Sequence, residues 1–91
     1  MRIAFTPRFQ ACLRDRTDAE LEEVERVCRL TAAGFGRPHL HGGIGLRLIG
    51  KRHFECRVGL ALRLIFRREG DSLLFVFAGN HEEVRRYLRS A

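Results

Sequence analysis

The stretch FECRVGLALRLIFRREGDSLLFVFAGNH, residues 54–81, constrains this chain more than any other. Phe54, Cys56 and Val58 alternate with Glu55 and Arg57, and Leu62, Leu64 and Phe66 alternate with Arg63, Ile65 and Arg67. A period of two predicts strands with one face toward a core and the other carrying arginines. Residues 73–79 are almost wholly apolar, which predicts a last strand covered on both faces.

Parity then sets the register, because a slip of one residue would turn every side chain to the wrong face. A tight turn at Gly59-Leu60-Ala61 pairs Val58 with Leu62, Cys56 with Leu64 and Phe54 with Phe66, and it puts Arg57 directly opposite Arg63. A two-residue turn at Glu69-Gly70 would pair Arg67 with Ser72, Arg63 with Val76 and Ala61 with Ala78. His81 then leaves the sheet at the end where the two arginines stand. Like charges directly opposite each other on a sheet are destabilising, so the pairing needs a reason. Two reasons are open. Either an anion belongs between the arginines, most simply a nucleic-acid phosphate, or they splay into solvent or meet a carboxylate that the pattern does not locate.

With 91 residues the chain is expected to form one domain, residues 1–91, around a single sheet-and-helix core. No apolar run is long enough to cross a bilayer, and MRIAFTPRF lacks the apolar stretch of a signal peptide, so the expected location is cytoplasmic. Cys12, Cys28 and Cys56 fall on apolar faces without CxxC spacing, as reduced core thiols would.

Charge is unevenly spread. Residues 1–33 hold six arginines against six acids, whereas residues 34–91 hold eleven Lys/Arg against five acids and carry the whole net charge of +6. The basic half is the sheet half, which points to a polyanion such as RNA or DNA. Arg47, Lys51, Arg52, Arg67 and Arg85 are its candidates for RNA contacts beyond the Arg57–Arg63 pair. All but one of the seventeen basic residues are arginine, which binds phosphate bidentately.

Residues 1–6 read as a first strand. Thr6-Pro7 is a helix start, with Thr as N-cap, and Phe9, Cys12 and Leu13 supply an apolar stripe. Thr17-Asp18-Ala19-Glu20 fits a capping box and opens a second helix, with Leu21, Val24, Val27, Cys28 and Thr31 inward and Gly34 ending it. GFGRPHLHGGIG, residues 34–45, is a loop by composition. His39-x-His41 invites a metal reading, but no third ligand stands at a recognisable spacing, and no metal or other cofactor is expected. Residues 46–50 form a strand with Leu46 and Leu48 inward. A turn at Gly50–Arg52 then pairs Leu48 with Phe54 and Arg47 with Glu55, so Glu55 reads as a structural partner rather than a general base. HEEVRRYLR, residues 81–89, is a terminal helix whose apolar side is Val84, Tyr87 and Leu88.

The element order and the stretch ECRVGLALRLIFRREGDSLLFVFAGNHEEV resemble the RelE/ParE superfamily of bacterial toxins. The shared pattern is an alternating strand, a short turn, an Arg-hydrophobic-hydrophobic-aromatic strand and a Gly-x-His end. The resemblance covers essentially the whole chain, though residues 7–33 match only in helical pattern. It implies an α+β fold: an N-terminal strand and helical hairpin packed on a twisted antiparallel sheet of about four further strands, with a short C-terminal helix. It also implies a type II toxin that acts as a metal-independent, ribosome-dependent mRNA endoribonuclease and blocks translation. Its partners would be a cognate antitoxin, mRNA on the ribosome and, through the antitoxin, operator DNA.

Carried over by position, Arg63 would hold the scissile phosphate and Arg57 would add a second cation. His81 would act as general acid or base, and Tyr87 would stack on or activate the nucleotide. Tyr87 reads equally well as a core residue, and His81 as a helix cap. Glu55 and Cys56 stand where RelE is lysine-rich. His39 and His41 lie where some YafQ-like members carry a catalytic histidine, and the general base stays open between them or another group. The alternatives are a ParE-like non-catalytic toxin of DNA gyrase and a degenerate basic RNA-binding domain.

Overall fold

The structure, a computed structural model, describes residues 1–37, 46–50 and 52–90. His39, His41 and Lys51 lie outside the described residues. The elements are β1 (Arg2–Phe5), α1 (Pro7–Cys12), α2 (Asp18–Gly34), β2 (Arg47–Leu48), β3 (His53–Val58), β4 (Leu62–Glu69), β5 (Ser72–Gly79) and α3 (His81–Ser90). The strands form one sheet in the order β1-β5-β4-β3-β2. Strands β2 to β5 are antiparallel to their neighbours, and β1 joins the edge parallel to β5. The α+β class expected from the sequence is the class observed.

Both helix starts follow from their capping residues. The Thr6 hydroxyl accepts from the Phe9 N–H at 3.1 Å, with Pro7 in the first turn where its missing N–H costs nothing. Thr17 and Glu20 exchange the two bonds of a capping box. Gly34 ends α2, as the sequence predicts, and the chain turns after it at Phe35 and Gly36. One expectation for α2 needs correction. Leu21 is partly exposed, because it lines a groove beside α1 instead of meeting the sheet.

The β3–β4 register matches the parity argument: Val58 faces Leu62, Cys56 faces Leu64, Phe54 faces Phe66 and Arg57 faces Arg63. The β4–β5 register does not match. The loop is Gly70-Asp71, so Glu69 faces Ser72 and Arg67 faces Leu74. A Glu69-Gly70 loop would require the left-handed backbone of Glu69, the first loop residue. Glycine takes that position instead, at φ 61°. A β-bulge between Ile65 and Phe66 adds one more residue on β5, which leaves Arg63 opposite Gly79, not Val76.

The bulge builds a second core. Leu73, Phe75 and Ala78 face α1 and α2, with Phe9, Val27, Cys28, Phe54, Leu64 and Phe66. Val76 and Phe77, consecutive in sequence, both face α3, with Ile65, Leu74, Val84, Tyr87 and Leu88. Strand β5 is thus covered on both faces, as its apolar run predicts. The Thr6 hydroxyl lies 3.4 Å from the carbonyl oxygens of Phe75 and Val76, so one side chain caps α1 and donates at the bulge.

Leu48 does pair with Phe54, but it is 63% exposed and not inward. Strand β2 is only two residues long and lies at the sheet edge, where no described helix covers it. Cys28 and Cys56 are buried free thiols whose pKa burial pushes up to about 12, as inert core cysteines.

Gly79 packs tightly against the first turn of α3. A Cβ there would stand 2.9 Å from the Glu83 Cβ and 3.2 Å from the Phe77 ring. Gly79→Ala should therefore lower unfolding stability by about 1–3 kcal/mol, measured by urea denaturation, and increase hydrogen exchange across α3. A neutral substitution would show that α3 is not held at this point.

Candidate functional site

The sheet face that carries α3 also carries the arginines. Residues 53, 55 and 57 of β3 and 63, 65 and 67 of β4 share it by alternation. Ile65 is covered by α3, whereas Glu55, Arg57 and Arg63, with Arg47 from β2, line a cavity of about 230 Å³. The sheet brings these four residues together across three strands.

Glu55, placed by the sequence pattern opposite Arg47, is also the carboxylate that meets Arg63, which the pattern did not show. It is only 2% exposed, and its Oε1 accepts from Arg63 Nη1 at 2.7 Å and from Arg47 Nε at 3.1 Å. The Arg47 bond is the expected cross-strand pair. The Arg63 bond is diagonal, from a residue two pairs further along the β3–β4 ladder, which cross-strand counting of opposite residues does not reveal. Arg57 forms no ion pair among the described residues, so its charge faces the cavity unneutralised. Three guanidiniums around one carboxylate leave a surplus of two positive charges in a concave site. Such a site suits an anion with several oxygen acceptors.

The other sequence candidates spread outward from this cavity. His81 is exposed, is the first residue of α3 and does not line the cavity. The ladder nevertheless sets Gly79, two residues before it, opposite Arg63. His81 is not the cap of α3. Asn80 Oδ1 accepts from the Glu83 N–H, and Glu83 Oε1 accepts from the Asn80 N–H, each at 2.8 Å. Capping therefore leaves the imidazole of His81 uncommitted.

Tyr87 belongs to the second core. Its ring stacks on Phe77 with centroids 4.5 Å apart, and the Arg8 guanidinium lies 5.1 Å from it. Among the wider RNA-contact candidates, Arg47 lines the cavity, Arg52 is an exposed turn residue and Arg85 pairs with Glu82 at 3.4 Å. Arg67 stands opposite His53 and Leu74, with a buried Nε that has no partner among the described residues.

Two residues of this face escaped the sequence reading. His53 shares the row of Glu55 and Arg57 and meets Tyr87 edge-on, with ring centroids 6.5 Å apart. The alternation was legible one residue further back, and it would have found His53. Arg8 reaches the Tyr87–Phe77 stack from α1, and no local pattern signals that contact. Among the described residues, no group of three His, Cys, Asp or Glu side chains is placed to hold a metal ion.

The two opposed arginines should differ in what they do for stability. Arg63→Ala deprives a buried carboxylate of its shorter bond and should cost about 2–3 kcal/mol, below the full cost of breaking a buried ion pair because Arg47 remains. Arg57→Ala relieves like-charge repulsion and should leave stability unchanged or raised. Parallel urea denaturation of the two variants checks this, and equal losses would contradict it.

The chain matches no protein-family model and no curated protein sequence. Solved structures do match. It is similar to YafQ from E. coli strain BL21(DE3), at 13% identity and TM-score 0.72, over 92% of this chain and 98% of that one. It is similar to a metal-bound toxin from Helicobacter pylori, at 20% identity and TM-score 0.73, with the same coverage. It is also similar to a structure of the RelB-RelE antitoxin-toxin complex from Methanococcus jannaschii, at 15% identity and TM-score 0.62, over 92% of this chain and 96% of that one. At these identities the likeness is one of architecture: the chain is built on the fold of the RelE/ParE toxins.

Proposed function

We propose that this chain is the toxin of a type II toxin–antitoxin pair, and that it cleaves mRNA on the ribosome without a metal and so blocks translation. The observation that carries this reading is the arginine-lined cavity, in which Arg57 and Arg63 face each other on a toxin fold. A pairing of like charges that Glu55 compensates only at Arg63 is a cost that an RNA phosphate between them would repay.

In the reaction the RNA 2′-oxygen attacks the adjacent phosphorus, and the bond from phosphorus to the 5′-oxygen breaks. The products are a 2′,3′-cyclic phosphate and a 5′-hydroxyl. Arg63 and Arg57 bind the non-bridging oxygens, on which negative charge grows in the pentacovalent transition state. His81 gives its proton to the departing 5′-oxygen, a task suited to an imidazole near neutral pH. The proton of the 2′-hydroxyl goes to a base. His53, on the same sheet face, joins His39 and His41 as a candidate for that role. Arg47, Lys51, Arg52, Arg67 and Arg85 would extend the contact to neighbouring phosphates, and Tyr87 would offer a ring edge to a base.

The cognate antitoxin would lie in the groove of about 540 Å³ between β1, α1 and α2, whose apolar lining includes Ile3, Phe5, Phe9, Leu13 and Leu21. A RelB-RelE antitoxin-toxin complex is known from Methanococcus jannaschii, and this chain shares its fold. The pair would sit in the cytoplasm and reach operator DNA through the antitoxin.

Primer extension on a translated mRNA tests the reading. The wild type should produce ribosome-dependent cuts, and Arg63→Ala and His81→Ala should each slow them at least ~100-fold. Absence of cuts in the wild type, with DNA gyrase supercoiling inhibited instead, would overturn the nuclease reading in favour of a ParE-like toxin. Absence of both activities, with RNA binding retained, would leave a non-catalytic RNA-binding domain.

A further inference from the structure

Among the described residues Glu55 is the one buried charged side chain, and nothing in the cleavage chemistry above uses it. It lies opposite Ile65, beneath the edge of the second core. An apolar residue there would extend that core and avoid desolvating a carboxylate, and such replacements are commonly neutral or stabilising. Fold stability alone therefore does not explain an acid at this position.

Its bonds suggest what does. A single oxygen, Oε1, accepts from both flanks: Arg63 Nη1 from β4 at 2.7 Å and Arg47 Nε from β2 at 3.1 Å. Arg63 is held at one nitrogen of its fork, and the remaining N–H donors stay available to the cavity. Arg47 is drawn over the site from an edge strand only two residues long. Without Glu55, three flexible guanidiniums would repel one another around a space of about 230 Å³. The carboxylate gives up one unit of attraction for RNA and fixes the direction of two donors.

We propose that Glu55 is a positioning residue of the cleavage site, which orients Arg63, and through the same oxygen Arg47, toward the scissile phosphate. The inference rests on the endoribonuclease reading and deepens it. The role assigned is to hold the two donors at Oε1 and not to take the proton of the 2′-hydroxyl, and variants at this position tell the two apart.

Two variants of the full chain separate these roles. Glu55→Gln keeps a carbonyl acceptor for both arginines but cannot serve as a base. Glu55→Ala removes the acceptor. In ribosome-dependent cleavage, Glu55→Ala should lower kcat by about ten- to hundredfold, and Glu55→Gln by only a few-fold. Both should lower KM, because each removes a negative charge. Binding to a short 2′-O-methylated RNA, which cannot be cut by this route, should show the salt dependence of log K steepened by roughly 0.7 in each variant.

The Arg63 guanidinium signals in NMR give a readout independent of turnover. Separate, slowly exchanging Nη resonances are expected in the wild type and in Glu55→Gln, and averaged resonances in Glu55→Ala. Equal kcat losses in the two variants would overturn the proposal in favour of a proton-transfer role. Unaltered kcat and unaltered Arg63 signals in Glu55→Ala would overturn it as well. A wild type that binds RNA but cuts none would defeat the nuclease reading alone, and the Arg63 signals would still decide whether Glu55 orients the arginine.

Discussion

A single extra residue on β5 governs the architecture of this chain. The bulge between Ile65 and Phe66 lets Val76 and Phe77 face the same side of the sheet, although they are consecutive. Those two side chains, with Ile65, make the apolar seat on which α3 rests. The same extra residue moves Arg63 into line with Gly79, at the place where the sheet gives way to α3. One backbone irregularity thus supplies the second core and sets the arginine row beside the helix that begins with His81. Thr6 ties the N-terminal segment to the bulge, since its hydroxyl caps α1 and faces the Phe75 and Val76 carbonyls.

The site itself is a balance of opposed costs. Arg57 and Arg63 face each other across β3 and β4, which a sheet ordinarily avoids. Glu55 relieves half of the problem by binding Arg63 from a buried position, and it leaves Arg57 without a counter-charge among the described residues. Functional sites commonly hold such residual strain where stability is traded for binding. Two acidic residues of α2, by contrast, pair within their own helix, Glu23 with Arg26 and Glu25 with Arg29, on the far side of the sheet from α3. The sheet face that carries α3 thus gathers Arg47, Arg57, Arg63 and Arg67 around Glu55, the single buried acid among the described residues.

What the sequence disclosed follows from the range of the forces involved. Helix starts are local, and Thr6-Pro7 and Thr17–Glu20 were legible as caps. The β3–β4 pairing was legible because the alternation on both strands is strict, so only one parity buries Phe54, Cys56, Leu64 and Phe66 together. The β4–β5 pairing was not, because an apolar run such as Leu73–Gly79 hides both its register and its bulge. Leu48 misled for a different reason: its parity was right, but alternation does not say whether another element covers an edge. Arg57 and Arg63 could be brought together on paper. The second bond of Glu55 could not, because it is diagonal, and neither could the contact of Arg8 with Tyr87, because it joins elements almost eighty residues apart.

The claim that an RNA phosphate belongs between Arg57 and Arg63 is tested most directly by titrating the protein with a short 2′-O-methylated RNA while following arginine side-chain signals by NMR. The account predicts that the Arg57 and Arg63 guanidinium resonances shift together and saturate, while those of Arg26 and Arg29 on α2 stay in place. Saturable shifts at α2, or shifts at Arg57 and Arg63 no larger than those at every exposed arginine, would contradict it.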